Sequence, residues 1–242
     1  MKFGYMSGFR ADLCSEIEFA KKHFDFTEVT IQPELLRTIN NNFYNIKDAL
    51  NGFEVLGHIH WEITEFNDII KNIKILKNLG TKKITIHPRQ DLNIGENANI
   101  LKEINIFCQK NKMELLIENL SISPYSFVDS MSKLLEEIPS AGLTLDIGHA
   151  NGNSELDGFI RNLALKIQHI HLHYNVGNSD HLFYDSKEEL NEILSKINSF
   201  GYSGTILLET FSIMKDNENV SQEFLEIKKL HVEQLEKIKN SS

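Results

Sequence analysis

Gly142-Leu-Thr-Leu-Asp146-Ile-Gly-His149-Ala150 reads as a short apolar strand that stops on a carboxylate, bends at a glycine and presents an imidazole three residues after the acid. The same arrangement recurs along the chain. Phe53–Leu56 runs into Gly57-His58-Ile59-His60, Lys83–Ile86 into His87, and Leu115–Ile117 into Glu118. Ile167–Ile170 runs into His171 and His173, and Thr205–Leu208 into Glu209. Each run is β-branched or Leu-rich and is followed by loop-like residues, as in a buried parallel strand whose carboxyl end is functional. Ligand-type residues at the C-terminal ends of many such strands predict a site at the mouth of an α/β fold, the (β/α)8 TIM barrel.

Working outward, the strands alternate with helices. Strands are expected at Lys2–Met6, Phe26–Gln32, Phe53–Trp61, Lys83–His87, Glu114–Glu118, Gly142–Asp146, His169–His173 and Thr205–Glu209. Helices are expected from about Ala11 to His23, then at Asn67–Leu79, Gly95–Lys110, Tyr125–Glu137, Ser154–Ala164, Lys187–Phe200 and about Val220–Lys239. Asn67–Leu79 is the clearest, with Ile69, Ile70, Ile73, Leu76 and Leu79 on one face, Lys71, Lys74 and Lys77 on the other, and Gly80 closing it. Glu34–Arg37 and Asn45–Leu50 offer only short helical pieces across the Asn-rich joint Asn40–Asn42. The polar tail Asn240–Ser242 is expected to fray.

At 242 residues the chain has the usual size of one such barrel, so one domain over 1–242 is the economical reading. Lys and Arg number 25 against 34 Asp and Glu, a formal charge of −9. That balance disfavours nucleic acid or an anionic membrane as the main partner, although a local basic patch stays compatible with it. Cys14 and Cys108 fall in predicted helices, far apart and without ligand-like spacing, so both read as reduced packing residues suited to the cytoplasm. Met1–Met6 has no long apolar stretch and nothing approaches a membrane span, so a soluble cytoplasmic protein is expected, with a homodimer left open.

Alternate residues of a strand share a face, so His58 pairs with His60, and His169 with His171 and His173. The last inward position of each strand opens to the mouth, which predicts that Glu118, Asp146, His171 and Glu209 meet there. Three acids and an imidazole desolvated side by side are costly without a cation. Mixed oxygen and nitrogen ligation suits zinc, manganese, cobalt or iron, with magnesium also open. His58 and His169 lie one step deeper and read as structural, Arg89 is placed to meet one phosphate, and Trp61 and Phe183 are candidate pocket walls.

These residues carry a resemblance. Ile59-His60-Trp61, Ile86-His87-Pro88, Ile117-Glu118-Asn119, Leu145-Asp146-Ile-Gly-His149-Ala150, His169-Ile-His171-Leu-His173 and Leu207-Leu-Glu209-Thr210, in that order, resemble the xylose isomerase-like barrel superfamily. Within it the chain is similar to the branch that joins sugar isomerases and epimerases to endonuclease IV. The resemblance implies a single divalent cation on Glu118, Asp146, His171 and Glu209, with the two glutamates also serving as acid and base. It implies that His149 contacts substrate; His60, His87, Arg89 and His173, at or near strand ends, are further candidate substrate contacts. The implied activity is isomerisation or epimerisation of a small sugar or sugar phosphate through an enediolate.

The resemblance to endonuclease IV implies a second activity, a zinc phosphoesterase whose ligands would extend to His60, His87, His149 and His181. Where that nuclease carries Asp-x-His, this chain reads Asn178-Ser-Asp180-His181, so acid and imidazole are adjacent and one is expected to be displaced from the site. Tyr174 stands where the family has an Asp, Phe183-Tyr184-Asp185 where it has a Gly-rich turn, and no Arg follows Arg161. A lyase or dehydratase using the same cation, or a barrel that binds without turnover, is the third reading.

Overall fold

In the computed structural model, the apolar runs of the sequence form strands that close on themselves. The structure describes residues 1–8, 12–33, 35–176, 179–210 and 220–240. Ala11, Glu34, Asn178 and the last two tail residues, all named above, lie outside these. The barrel strands are β1 (Lys2–Ser7), β2 (Phe26–Ile31), β3 (Glu54–Ile59), β4 (Lys83–Ile86), β5 (Glu114–Glu118), β6 (Gly142–Asp146), β7 (Ile167–Leu172) and β10 (Thr205–Leu208). All eight pair in parallel, and the ring closes where β1 joins both β2 and β10. Between β7 and β10 the chain adds an antiparallel hairpin, β8 (Tyr174–Val176) and β9 (Ser179–Leu182).

The helices are α1 (Leu13–His23), α2 (Leu35–Ala49), α3 (Phe66–Asn78), α4 (Ile94–Lys110), α5 (Val128–Glu137), α6 (Ile147–Gly152), α7 (Leu156–Leu163), α8 (Lys187–Ser199) and α9 (Val220–Lys239). Within α2 two helical pieces meet at a kink at Asn42, whose φ of −115° departs from the helix, as the Asn-rich joint predicts. The short helix α6 is not legible as a periodic pattern. It exists because the Asp146 carboxylate accepts the His149 backbone N–H and so caps it. A capping box between Asn93 and Glu96 starts α4 in the same way.

Alternation along each strand divides the buried side chains into two populations. Ile84, Ile86, Leu115, Ile117, Leu143, Leu145, Ile170, Leu172, Ile206 and Leu208 point outward and join the helices in the main core. Inside, Met6, Phe26, Leu56 and Leu207 form a small apolar plug. Gly4 makes room for it, since a Cβ there would lie 2.2 Å from the Phe26 ring. Apart from Leu116, the interior above the plug is polar. Thr85 and Thr144 share a hydrogen bond across it at 2.9 Å, and above them stand carboxylates and imidazoles. Among the described residues no helix is long and apolar enough to cross a membrane.

Candidate metal centre

Glu118 ends β5, Asp146 ends β6, His171 lies near the end of β7 and Glu209 follows β10 directly. The curvature of the barrel turns these inward-facing ends towards one point. One ligand atom from each of the four lies within 4.8 Å of the others, and all four residues are buried. His171 Nδ1 stands 2.8 Å from Glu209 Oε2 and 3.4 Å from Glu118 Oε2. Glu118 Oε2 also meets His87 Nε2 at 3.1 Å and His58 Nε2 at 3.4 Å.

The donor set fits a divalent cation. Glu118 Oε2, Glu209 Oε2 and His171 Nδ1 are buried without a directed hydrogen bond, although they are close together. Two ligand atoms about 2.1 Å from one cation, subtending 90–109° at it, lie about 3.0–3.4 Å apart and aim at the cation instead of each other. Short, misdirected contacts are therefore what a cation's ligands show. Three carboxylates and one imidazole suit zinc, manganese or another borderline to hard divalent ion.

Asp146 is held from all sides. Its Oδ1 accepts the His149 N–H at 2.7 Å and its Oδ2 accepts from His173 Nε2 at 2.8 Å. Its backbone exchanges hydrogen bonds with the Asn119 side chain, 2.8 and 3.0 Å. Burial, the largest single influence, would raise its pKa, but His149 and His173 outweigh it and hold the carboxyl well below the usual range. His173 itself is fully buried and reaches the hairpin, with Nδ1 3.3 Å from Asp180. Gly148 makes that packing feasible, since a Cβ there would stand 2.2 Å from the His173 ring.

The hairpin closes this side of the mouth. Asp180 and His181, adjacent in sequence, both reach the site, because His181 takes a left-handed backbone with φ of 55°. The expectation that one of them is displaced does not hold: the left-handed backbone at His181, at a cost of about 1–2 kcal/mol, turns both towards the site. Their ligand atoms and those of His149 and His173 lie within 4.8 Å of one another, a second candidate cluster beside the first. His149 Nδ1 donates to the Asn119 carbonyl at 3.1 Å and His181 Nδ1 to the Glu209 carbonyl at 3.2 Å. Burial would lower the pKa of His149, but Asp146, Asp180 and Glu118 raise it to about 10, making it a donor. Burial and the neighbouring His173 lower that of His181. Burial raises and the facing imidazoles lower Asp180, to a net value of about 2.

Above the four-residue set lies a cavity of about 340 Å³ lined by Thr30, His58, His60, Trp61, His87, Glu118, His149, His181 and Glu209. It falls within the roughly 300–1,000 Å³ of small-molecule sites. Trp61, 62% exposed, stands at its rim. Arg89 lines a neighbouring pocket of about 250 Å³ that shares His60, Trp61 and His87 with the first. Its guanidinium is already held by both oxygens of Asp91, at 3.1 and 2.7 Å. Phe183, a candidate pocket wall, instead packs edge-on against His231 and lines neither pocket, and Tyr174 packs against Tyr184. Cys108 is buried, its thiol pushed up to about 12 by burial.

One central residue escapes the strand-end pattern. Glu28, in the middle of β2, is fully buried and faces three imidazoles: His169 Nε2 at 3.1 Å, His171 Nε2 at 3.2 Å and His58 Nδ1 at 3.4 Å. Burial would raise its pKa, yet His171, His169 and His58 together hold it well below the usual range. The signal lay in the alternation Phe26, Glu28, Thr30, which puts an acid between a plug residue and a cavity wall.

Comparison with known proteins places the chain among barrels of this kind. A family model described as xylose isomerase-like TIM barrel matches residues 17–230. An uncharacterized protein of Methanocaldococcus jannaschii, MJ1614, is 27% identical over 146 residues, covering 54% of this chain and 58% of that protein's length. Among solved structures, a D-tagatose 3-epimerase-like protein superposes with a TM-score of 0.77 at 21% identity, covering 99% of both chains. A probable 3-DHS dehydratase of petrobactin synthesis from Bacillus anthracis gives 0.71 at 17% identity, covering 96% of this chain and 98% of the other. At these identities the likeness concerns the fold.

Proposed function

The chain belongs to the xylose isomerase-like TIM barrel family, and from that premise we propose that it is a divalent-metal-dependent isomerase or epimerase of a small sugar or sugar phosphate. The observation that carries the reading is the convergence of Glu118, Asp146, His171 and Glu209 beneath a cavity of about 340 Å³. The fold it shares with a D-tagatose 3-epimerase-like protein is consistent with it.

A divalent cation held by these four residues would supply Lewis-acid polarisation of a substrate carbonyl, which acidifies the neighbouring C–H. The chain's own groups then move the proton. Glu118 and Glu209 both border the cavity, on strands separated in the ring by β6 and β7, so they approach a bound substrate from different sides. One carboxylate takes the proton from the carbon beside the carbonyl while the C–H electron pair moves towards the carbonyl oxygen. The other returns a proton to the opposite face, which inverts that carbon. His149 donates to a substrate oxygen, and His181 lies beside it on the cavity wall. Trp61 forms part of the cavity wall at the rim.

A second reading, a phosphoester hydrolase with more than one cation, is favoured by one observation: His149, His173, Asp180 and His181 form a further ligand-type cluster. Metal content separates the two. Elemental analysis of protein purified without chelator, and again after stripping and reloading, is expected to find about one ion per chain. The loaded protein is expected to exchange deuterium from D2O into a ketose beside its carbonyl, followed by proton NMR, and to stop when stripped. Two or three ions together with release of phosphate from phosphoesters would replace this reading by the hydrolase. Bound metal with no exchange on any ketose or aldose screened would end it.

A further inference from the structure

Glu28 has no part in the reaction above, yet it sits directly beneath it. Its carboxylate is fully buried and neither oxygen has a directed hydrogen bond. A buried charge in that position is costly unless something compensates it. What surrounds it is three imidazoles from two strands: His58 on β3, His169 and His171 on β7.

The two nitrogens of His171 face opposite neighbourhoods. Nδ1 looks to Glu118 and Glu209, and Nε2 looks to Glu28 Oε1 at 3.2 Å. A neutral imidazole carries one proton. With the proton on Nδ1, the Nε2 lone pair would confront the Glu28 carboxylate and Nδ1 would be closed to a cation. With the proton on Nε2, its positive edge faces Glu28 and the Nδ1 lone pair is left for the ligand set. Glu28 is itself fixed from the other side. The Thr205 hydroxyl donates to His169 Nδ1 at 2.8 Å, which leaves the His169 ring proton on Nε2, 3.1 Å from Glu28 Oε2. Phe26, two residues earlier on the same strand face, packs edge-on against the His169 ring and keeps the group in place.

We infer that Glu28 is a positioning residue that selects the Nε2–H form of His171 and thereby presents Nδ1 to the cation, an inference that rests on the metal-dependent reading of the site. A second cation among Glu28, His169 and His171 is the rival account of the same cluster. It would require His171 to give up its last ring proton and bridge two ions, and neither Glu28, His169 nor His171 lines the cavity through which an ion would enter.

The test is Glu28→Gln, which keeps shape and hydrogen-bonding capacity and removes only the charge. Affinity for Zn2+ or Mn2+ is measured by competition with a chelating dye, and thermal stability of the metal-free protein is measured alongside. Affinity is expected to fall about 10–100-fold, the range for losing such a supporting carboxylate, while the metal-free Tm stays near that of wild type. Wild-type affinity in the variant overturns the inference and leaves the metal site standing. Two ions in wild type and one in the variant overturn it too, since Glu28 is then a ligand. A wild-type protein that takes up no ion removes both the inference and the reading beneath it.

Should the variant not fold, the zinc-loaded wild type decides. Ring-selective proton–nitrogen NMR is expected to show the His171 proton on Nε2, and a proton on Nδ1 or on neither nitrogen overturns the assignment.

Discussion

Glu209→Gln tests whether the buried acids are there for a cation or for the fold. The ligand atoms of Glu118, Asp146 and Glu209 lie within 4.8 Å of one another. At an effective dielectric of 20 each carboxylate pair at that distance repels by about 3.5 kcal/mol, so Glu209 carries about 7 kcal/mol of repulsion from the other two. His171 Nδ1, 2.8 Å from Glu209 Oε2, returns about 6 kcal/mol on the same scale when the ring is charged. In the metal-free protein the two nearly offset, and neutralising Glu209 is expected to change stability by only about 1–2 kcal/mol. For a chain of this size that is a Tm shift of roughly 2–8 °C in either direction.

With metal the balance is different. The cation takes the place of the His171 proton and adds two charges, and Glu209 becomes one of its ligands. At a free ion concentration 100 times Kd, binding stabilises wild type by about 2.7 kcal/mol, a Tm rise of roughly 5–11 °C. Scanning calorimetry of both proteins, stripped and loaded at the same ion concentration, is expected to show the rise in wild type and most of it lost in Glu209→Gln. A metal-free variant destabilised by more than about 4 kcal/mol would show Glu209 to be a partner the fold depends on. A full metal-induced rise in the variant would remove Glu209 from the ligand set.

Two further substitutions follow from particular contacts. His87→Ala removes the imidazole 3.1 Å from Glu118 Oε2; kcat/KM on the substrate found by exchange is expected to fall less than about tenfold for a one-cation enzyme, and loss of both activity and an ion would show that His87 is a ligand. Gly148→Ala puts a methyl 2.2 Å from the His173 ring; overpacking of this kind costs about 1–3 kcal/mol, and a drop in Tm with weaker metal binding is expected, whereas an unchanged Tm would mean that His173 is not held as described.

How much of this could be read from sequence depended on whether a feature leaves a local period. Strand-end residues do: a run such as Leu115–Ile117 stops on Glu118, and parallel pairing then fixes both the end of the barrel and the inward face. That is why Glu118, Asp146, His171 and Glu209, each at such an end, bring ligand atoms within 4.8 Å of one another. Trp61 likewise lies two residues past the end of β3 and lines the cavity, as its place after His60 suggests.

The features that were not legible depend on how the backbone turns or on partners far away in the chain. Arg89 looks available for a phosphate until its backbone is turned so that Asp91, two residues on, takes both sides of the guanidinium. Strands β8 and β9 are too short to announce themselves, and only their pairing with each other brings Asp180 and His181 back over the mouth. Glu28 is the sharpest case. An acid inside the run Phe26–Ile31 looks like an interruption of a core strand, and nothing nearby in sequence explains it. Its explanation lies on β3 and β7, whose imidazoles reach it only after the barrel has closed. A buried charge with no local reason is therefore itself informative: the fold tolerates it only where distant groups compensate it, and here those groups include a ligand of the candidate metal centre.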